Sequence, residues 1–160
     1  VIRMSDQSDL ALIKTHARII ELASPLTLAP TPPELASEVV AIGYPAGLLD
    51  TPTITKGIVS AIRTMQFAPY PDQDYLQIDA PINQGNSGGP VLGHDGSAVG
   101  MATFIHGRAT KDDQKGIADE ALSFAVPSAI IRRFLDEARG DIERGTLEVP
   151  SAEAISRLHR

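Results

Sequence analysis

Cysteine is missing from this sequence, and acidic residues outnumber basic ones. Without cysteine the chain can hold neither a disulfide framework nor a thiolate nucleophile nor a thiolate zinc site. Its 14 Lys and Arg against 20 Asp and Glu give a net charge of −6, which excludes a basic surface of the kind that binds nucleic acid. The compartment stays open, because a cysteine-free protein suits reducing and oxidising surroundings equally.

Long apolar runs and metal-binding motifs are missing as well. No stretch approaches the roughly 20 apolar residues needed to cross a bilayer, so we expect no membrane span. The sequence has no H-E-x-x-H motif, no histidine cluster and no acidic loop with calcium-binding spacing. We therefore expect neither a metal nor another cofactor.

What is present is a globular composition. With 160 residues, of which 42% are hydrophobic, the chain can bury one real core, so it forms one domain or a large part of a two-lobed one. It begins at Val1 and enters a strand pattern within ten residues, which we interpret as the interior of a longer gene product.

Short β-type segments bounded by Gly, Pro, Asn and Asp dominate the first 126 residues. A helical pattern follows, with Pro127 in its first turn and Gly140 just past its end. The Asp95-Gly96 step indicates a hairpin, and Gly57 indicates a bulge or bend. Because β-helix-β alternation is missing, the sequence predicts an all-β antiparallel barrel or sandwich with a C-terminal helix. The predicted strands are 9–15, 39–43, 54–63, 75–80, 90–93, 97–105 and 121–126.

The segment QGNSGGP (84–90) places one serine among three glycines and a proline. It matches the G-x-S-x-G nucleophile elbow of α/β-hydrolases, but Pro90 and a hairpin follow where that elbow needs a helix. A second interpretation is a tight loop in which the N–H groups of Gly85 and Ser87 bind a developing oxyanion. A third is a plain surface turn.

Four segments, in the same order, resemble the HtrA/Deg family of trypsin-like serine proteases. They are SDLALIKT (8–15), VVAIGYPAGLLDTPTITKGIVSAI (39–62), YLQIDAPINQGNSGGPVLGHDGSAVGMATFI (75–105) and LSFAVPSAIIRRFL (122–135). The resemblance implies a chymotrypsin-like fold, in which this chain is the second six-stranded β-barrel preceded by a remnant of the first. It divides the chain into the remnant (1–23), a connecting loop (24–37), the barrel with its closing helix (38–140) and a C-terminal stub (141–160).

By this resemblance Ser87 is the nucleophile, and the N–H groups of Gly85 and Ser87 form the oxyanion hole. Asp9 takes the place of the triad acid, whose role is to hold a histidine in the correct tautomer and to stabilise its cationic form. The competing interpretation of Asp9 is a solvated carboxylate at a strand edge.

The base is the missing member of this triad. In this fold the histidine precedes the acid along the chain, but no histidine precedes Asp9. None of His16, His94, His106 and His159 matches its position. A serine hydroxyl needs a base to accept its proton, so the chain alone is expected to be nearly inactive. A truncated piece, a processed enzyme with a separate N-terminal segment, and a binding remnant each explain the absence.

The resemblance also places the substrate pocket. Its expected residues are Ile82, Asn86, Thr103, Phe104 and Ile105. The pocket walls are apolar, and no carboxylate stands at Pro81, six residues before the serine, so we expect cleavage after small or medium aliphatic residues. The competing interpretation makes Ile82 and Ile105 plain core residues.

The implied function is that of a serine endopeptidase acting through an acyl-enzyme on unfolded or misfolded proteins. Expected partners are polypeptide substrates, an N-terminal segment that supplies the histidine, and a PDZ module following the stub. By resemblance the location is periplasmic or otherwise extracytoplasmic. The alternative is a non-catalytic peptide-binding module on the same barrel, with an apolar cleft and free strand edges.

Overall fold

The computed structural model describes residues 1–5, 7–15, 23–45, 51–66, 70–106 and 122–147, except for the side chains of 104–106. Residues 107–120, which separate the last two predicted strands, and most of the C-terminal stub lie outside the described residues. The strands are β1 (Arg3–Met4), β2 (Ala11–Leu12), β3 (Glu38–Gly43), β4 (Thr53–Met65), β5 (Gln73–Ile78), β6 (Pro90–Gly93), β7 (Ala98–His106) and β8 (Leu122–Pro127), and the helix is α1 (Ser128–Arg144).

Strands β3 to β8 close into one antiparallel barrel, in the order β3-β4-β5-β8-β7-β6. The barrel closes because β3 pairs with β4 on one side and with β6 on the other. A closed sheet has no edge strand, although residues 103–106 of β7 pair with β8 alone because the β6–β7 ladder ends at Met101. The prediction of an all-β, six-stranded antiparallel barrel with a C-terminal helix is therefore confirmed.

The hairpin between β6 and β7 forms where the sequence predicts it. Gly96 has a φ of 78°, a left-handed conformation that glycine adopts without strain. The Asp95 carboxylate accepts hydrogen bonds from the Ser97 N–H at 3.0 Å and the Ser97 hydroxyl at 2.8 Å. These bonds hold the pKa of Asp95 below its ordinary value.

Gly57 does not mark a bulge, so that part of the prediction is wrong, and a bend at this position stays a prediction. The register of β4 shifts further along, between Val59 and Ala61. Gly57 stands in a regular pair of the β3–β4 ladder, and a Cβ there would collide with the Asp79 carboxylate and the Ala80 backbone. The glycine serves a close approach of two chain segments.

Two apolar clusters stabilise the fold. One fills the barrel, where inward-facing residues such as Val39, Val59 and Val91 are at most 1% exposed. The other lies under α1 and is built around Phe124 and Phe134. Each fully buried large apolar side chain contributes roughly 1.5–3 kcal/mol. Packing of α1 on β7 and β8 therefore depends mainly on Phe134.

The helix is longer than the sequence predicts. It runs through Gly140 to Arg144, and Gly145 ends it with a φ of 69° and an N–H that donates to the Ile142 carbonyl. Glycine commonly ends helices in this left-handed conformation. Pro127 precedes the helix as its N-cap and does not lie in its first turn. No helix in the described part of the chain is both long and apolar enough to cross a membrane.

The segment before residue 16 is held less firmly than the barrel. Of the strand predicted at 9–15, only β2 forms, and it pairs with β1 over two residues. Arg3 attaches this segment to α1 through ion pairs with Glu137 and Asp141. Its guanidinium also lies 5.7 Å from the centre of the Phe134 ring.

Candidate active site

The serine loop, residues 83–89, begins with a tight turn. The Asn86 N–H donates to the Asn83 carbonyl at 2.9 Å, and Gly85, in the third position, has a φ of 104°. These are the features of a type II turn, whose third residue needs a positive φ and is therefore usually glycine. The Gly85 and Ser87 N–H groups donate to no other described residue, so both are free to bind an oxyanion.

The loop is fastened to β7 by two backbone hydrogen bonds. The Gly88 N–H donates to the Ala102 carbonyl at 2.8 Å, and the Ala102 N–H donates to the Gly89 carbonyl at 2.9 Å. A Cβ at Gly89 would collide with the carbonyl of Ile42, at the end of β3. The glycines of this motif thus have separate tasks: Gly85 makes the turn, and Gly89 lets the loop lie directly on the barrel.

Asp9 and Ser87 are brought together by Thr103, a buried residue of β7. The Thr103 hydroxyl donates to Asp9 Oδ2 at 2.6 Å, although the two residues are 94 positions apart. The Ser87 hydroxyl donates to the Thr103 backbone carbonyl at 2.7 Å. The residues predicted as nucleophile and acid therefore lie on two sides of one residue. The bond to Asp9 belongs to the stronger class when the carboxylate is ionised.

Between Asp9 and Ser87 lies an open cleft of about 240 Å³, which Tyr70 and Met101 also line. A water molecule takes about 30 Å³ of liquid volume, so the cleft has room for a ring the size of imidazole. Ser87 itself is exposed, whereas Tyr70 is only 7% exposed. The pKa of Tyr70 is raised, first by burial and then by the Asp9 charge and a hydrogen bond with that carboxylate.

No described imidazole side chain lines this cleft. His94 is in the β6–β7 turn, where it lines a different groove with Glu38 and Asp95. The side chain of His106, and His16 and His159 entirely, lie outside the described residues. Among the described residues, the Ser87 hydroxyl donates to a neutral carbonyl, that of Thr103, which cannot serve as a general base.

The residues predicted to bind substrate are placed in several environments. Ile82 is 4% exposed and belongs to the barrel core, with its N–H donating to the Ser123 hydroxyl at 3.2 Å. Asn86 is 1% exposed and packs against Gly43, and it does not line the cleft between Asp9 and Ser87. The side chains of Phe104 and Ile105 lie outside the described part. Contact of these residues with substrate stays a prediction.

Two contacts of the site were not predicted from the sequence. Thr103 was expected as a pocket wall, but its hydroxyl donates to Asp9. The sequence feature that could have indicated this contact is a polar residue on an otherwise apolar strand. Tyr70 gave no signal, because a tyrosine in a proline-bearing loop has no periodic pattern to read.

Comparison with known proteins identifies the family of this chain. The family model for the trypsin-like peptidase domain matches residues 1–101. The magnetosome formation protease MamE of Magnetospirillum gryphiswaldense is 36% identical over 157 residues, covering 98% of this chain and 19% of that protein. A probable periplasmic serine endoprotease, DegP-like, of Chlamydia muridarum is 34% identical over 152 residues, covering 93% of this chain and 28% of that protein.

A solved structure described as the HtrA-type protease AlgW with decapeptide matches at a TM-score of 0.56 and 27% identity, covering 76% of this chain and 34% of that one. The chain spans about a fifth of the length of MamE and about a third of the AlgW chain. The closed barrel, the serine loop and these relatives show that the chain belongs to the trypsin-like peptidase family, in its HtrA-type branch.

Proposed function

We propose that this chain carries the nucleophile and the acid of a serine endopeptidase site. The observation that supports the proposal is the convergence on Thr103, which brings Asp9 and Ser87 to one cleft from distant parts of the sequence. A chance surface turn has no reason to lie beside a carboxylate held by a buried hydroxyl.

The chemistry follows from the groups at the cleft. The Ser87 oxygen attacks the carbonyl carbon of a peptide bond, while an imidazole accepts its proton and later gives it to the leaving amine. The Gly85 and Ser87 N–H groups stabilise the negative oxygen of the tetrahedral intermediate. Collapse leaves an acyl-enzyme on Ser87, which water hydrolyses. The imidazole comes from polypeptide outside the described residues and occupies the cleft beside Asp9.

A fluorophosphonate probe on the full-length gene product tests this proposal. We expect covalent labelling at Ser87 that is lost in Ser87→Ala and strongly slowed in Asp9→Asn. Ser97→Ala, a serine change in the distant β6–β7 turn, serves as the control and should label normally. Peptide binding without any labelling would favour the non-catalytic module instead. Closure of the barrel does not decide against that module, because residues 103–106 of β7 pair with β8 alone and leave an edge for an added strand.

We propose polypeptides in unfolded or misfolded form as the substrates, cleaved after small or medium aliphatic residues. Pro81 offers no negative charge to a basic side chain, and its carbonyl accepts a hydrogen bond from the Thr55 hydroxyl at 2.9 Å. A peptide library should yield a profile led by Val and Ala, and a profile led by Arg and Lys would refute this specificity. Faster cleavage of a reduced, unfolded substrate than of its native form is the expected second result.

The named relatives support an extracytoplasmic location. The DegP-like protein of Chlamydia muridarum is described as periplasmic. Fractionation of cells that express the full-length protein should recover it outside the cytoplasm, and recovery in the cytoplasm alone would contradict this assignment.

A further inference from the structure

Tyr70 is a buried hydroxyl at the active-site cleft to which the triad chemistry gives no task. Its side chain is 7% exposed, and it lines the same cleft as Asp9 and Ser87. It belongs to the segment between β4 and β5, whereas Asp9 precedes β2 and Thr103 lies in β7. Three separate parts of the chain therefore meet around this cleft, and Thr103 and Tyr70 both lie near the Asp9 carboxylate.

We propose that Tyr70 is a positioning residue of the catalytic acid, whose hydroxyl works together with the Thr103 hydroxyl to hold the Asp9 carboxylate in a fixed orientation. The inference rests on the proposed function and extends it by one residue. Tyr70 does not touch the reacting atoms in this scheme; it acts through Asp9.

The number of hydrogen bonds that the Asp9 carboxylate can accept agrees with this role. An ionised carboxylate accepts at about four lone-pair positions. Thr103 occupies one of them on Oδ2, so a tyrosine hydroxyl and an imidazole N–H can both be accommodated. Two neutral donors from different elements restrict rotation of the carboxylate more than one donor does, and orientation of the histidine depends on that restriction.

The electrostatic surroundings of Tyr70 agree as well. Burial, the Asp9 charge and a hydrogen bond with Asp9 all raise the pKa of Tyr70, so at neutral pH its hydroxyl keeps the proton and can donate it. Tyr75 of β5 is the other titratable group whose charge acts on Tyr70 in the described part. The pKa of Tyr75 is itself raised by burial, so it too is neutral at physiological pH and does not compete as a charge.

The variant that tests this inference is Tyr70→Phe in the full-length protein, because it removes the hydroxyl and keeps the ring. We expect labelling of Ser87 by the fluorophosphonate to slow about tenfold, the usual order for losing one orienting hydrogen bond. The acidic limb of the pH–rate profile should also move to higher pH, since a carboxylate with one donor fewer concentrates more charge on the imidazole and raises its pKa. Tyr44→Phe, the same change at an exposed side chain, is the control and should leave both quantities unchanged.

The outcomes separate the two proposals. A change in rate without a shift of the acidic limb would mean that Tyr70 is merely structural, and faster labelling would mean that its hydroxyl obstructs the site; both overturn the inference. If the wild type fails to label at all, the proposed function fails, but a titration still decides the contact. In tyrosine-labelled protein followed by NMR, Asp9→Asn should lower the pKa of Tyr70 toward its ordinary value, and an unchanged pKa would rule the contact out.

Discussion

Gly43, the last residue of β3, lies so close to the serine loop that alanine cannot replace it without moving the loop. A Cβ at Gly43 would stand 2.5 Å from Asn86 Oδ1, 2.7 Å from Asn86 Cα and 2.8 Å from Asn86 Cγ. Contacts under 3.0 Å essentially never occur for real Cβ atoms, so the loop has to shift. Asn86 stands between Gly85 and Ser87 in the chain, so its displacement moves both N–H groups that we propose as oxyanion donors.

The cost of Gly43→Ala is steric, because Gly43 is not among the glycines with positive φ. Overpacking of this kind lowers the free energy of unfolding by about 1–3 kcal/mol. The effect on the rate of Ser87 labelling should be larger than the effect on stability, since a misplacement of about 1 Å at a reacting group can cost on the order of a hundredfold in rate. We expect labelling of Ser87 to slow at least tenfold while the barrel still folds.

Urea denaturation and fluorophosphonate labelling of the full-length protein measure the two effects. Gly93→Ala is a matched control in the same barrel, because its Cβ would meet its nearest atoms, in the side chains of Asp95 and Val99, at 3.2 Å. A second variant, Gly43→Ala with Asn86→Ala, removes two of the three colliding atoms and should recover part of the stability. Wild-type stability and labelling in Gly43→Ala, or strictly additive effects in the double variant, would refute the reasoning.

Three other predictions follow from the structure. Thr103→Val should lower the unfolding free energy by roughly 1.5–3 kcal/mol and slow Ser87 labelling, because it deletes a hydrogen bond to a carboxylate, whereas Thr103→Ser keeps that bond; equal losses in both would contradict this. Gly145→Ala should destabilise α1 by about 1 kcal/mol and Gly140→Ala should stabilise it by about the same amount, as thermal unfolding of each variant will report. The pKa values of Tyr70 and Tyr75 are raised in the folded protein, so their contribution to the free energy of unfolding should be fully present below about pH 10. It should be lost as the pH rises beyond that value, and the loss should be smaller in Tyr70→Phe than in the wild type.

The barrel could be predicted from the sequence because its signals are local. The run from Val39 to Gly43 is short and almost wholly apolar, which predicts a buried strand from its composition without knowledge of any partner strand. The Asp95-Gly96 step predicts its hairpin because glycine adopts the positive φ that the turn needs. The turn at Gly85 is equally local, because its third position needs a positive φ, which glycine adopts without strain.

The remaining features depend on distant residues and could not be read from the sequence. Gly140 looks like a helix stop, but the helix continues to a turn in which Asp141 forms ion pairs with Arg3 and Arg144, and Gly145 ends it. Gly57 looks like a bulge, but a glycine is needed there because Asp79, 22 positions away, lies against it. No local pattern reveals that contact. The hydrogen bond from Thr103 to Asp9 and the placement of Tyr70 in the same cleft likewise arise only once distant segments of the chain lie side by side.

The two halves of the candidate site are therefore held with unequal strength. Ser87 sits on a loop that is hydrogen-bonded directly to β7 of the closed barrel, so we expect its position to be lost only when the barrel opens. Asp9 lies in a segment with a two-residue ladder, which is held by Arg3 to α1, by Leu10 in the cluster under α1 and by the Thr103 hydroxyl. Segments with few ladder bonds open locally at a lower free energy than the core. Mild denaturant should accordingly release the acid before the nucleophile, and labelling of Ser87 should decline before the barrel unfolds.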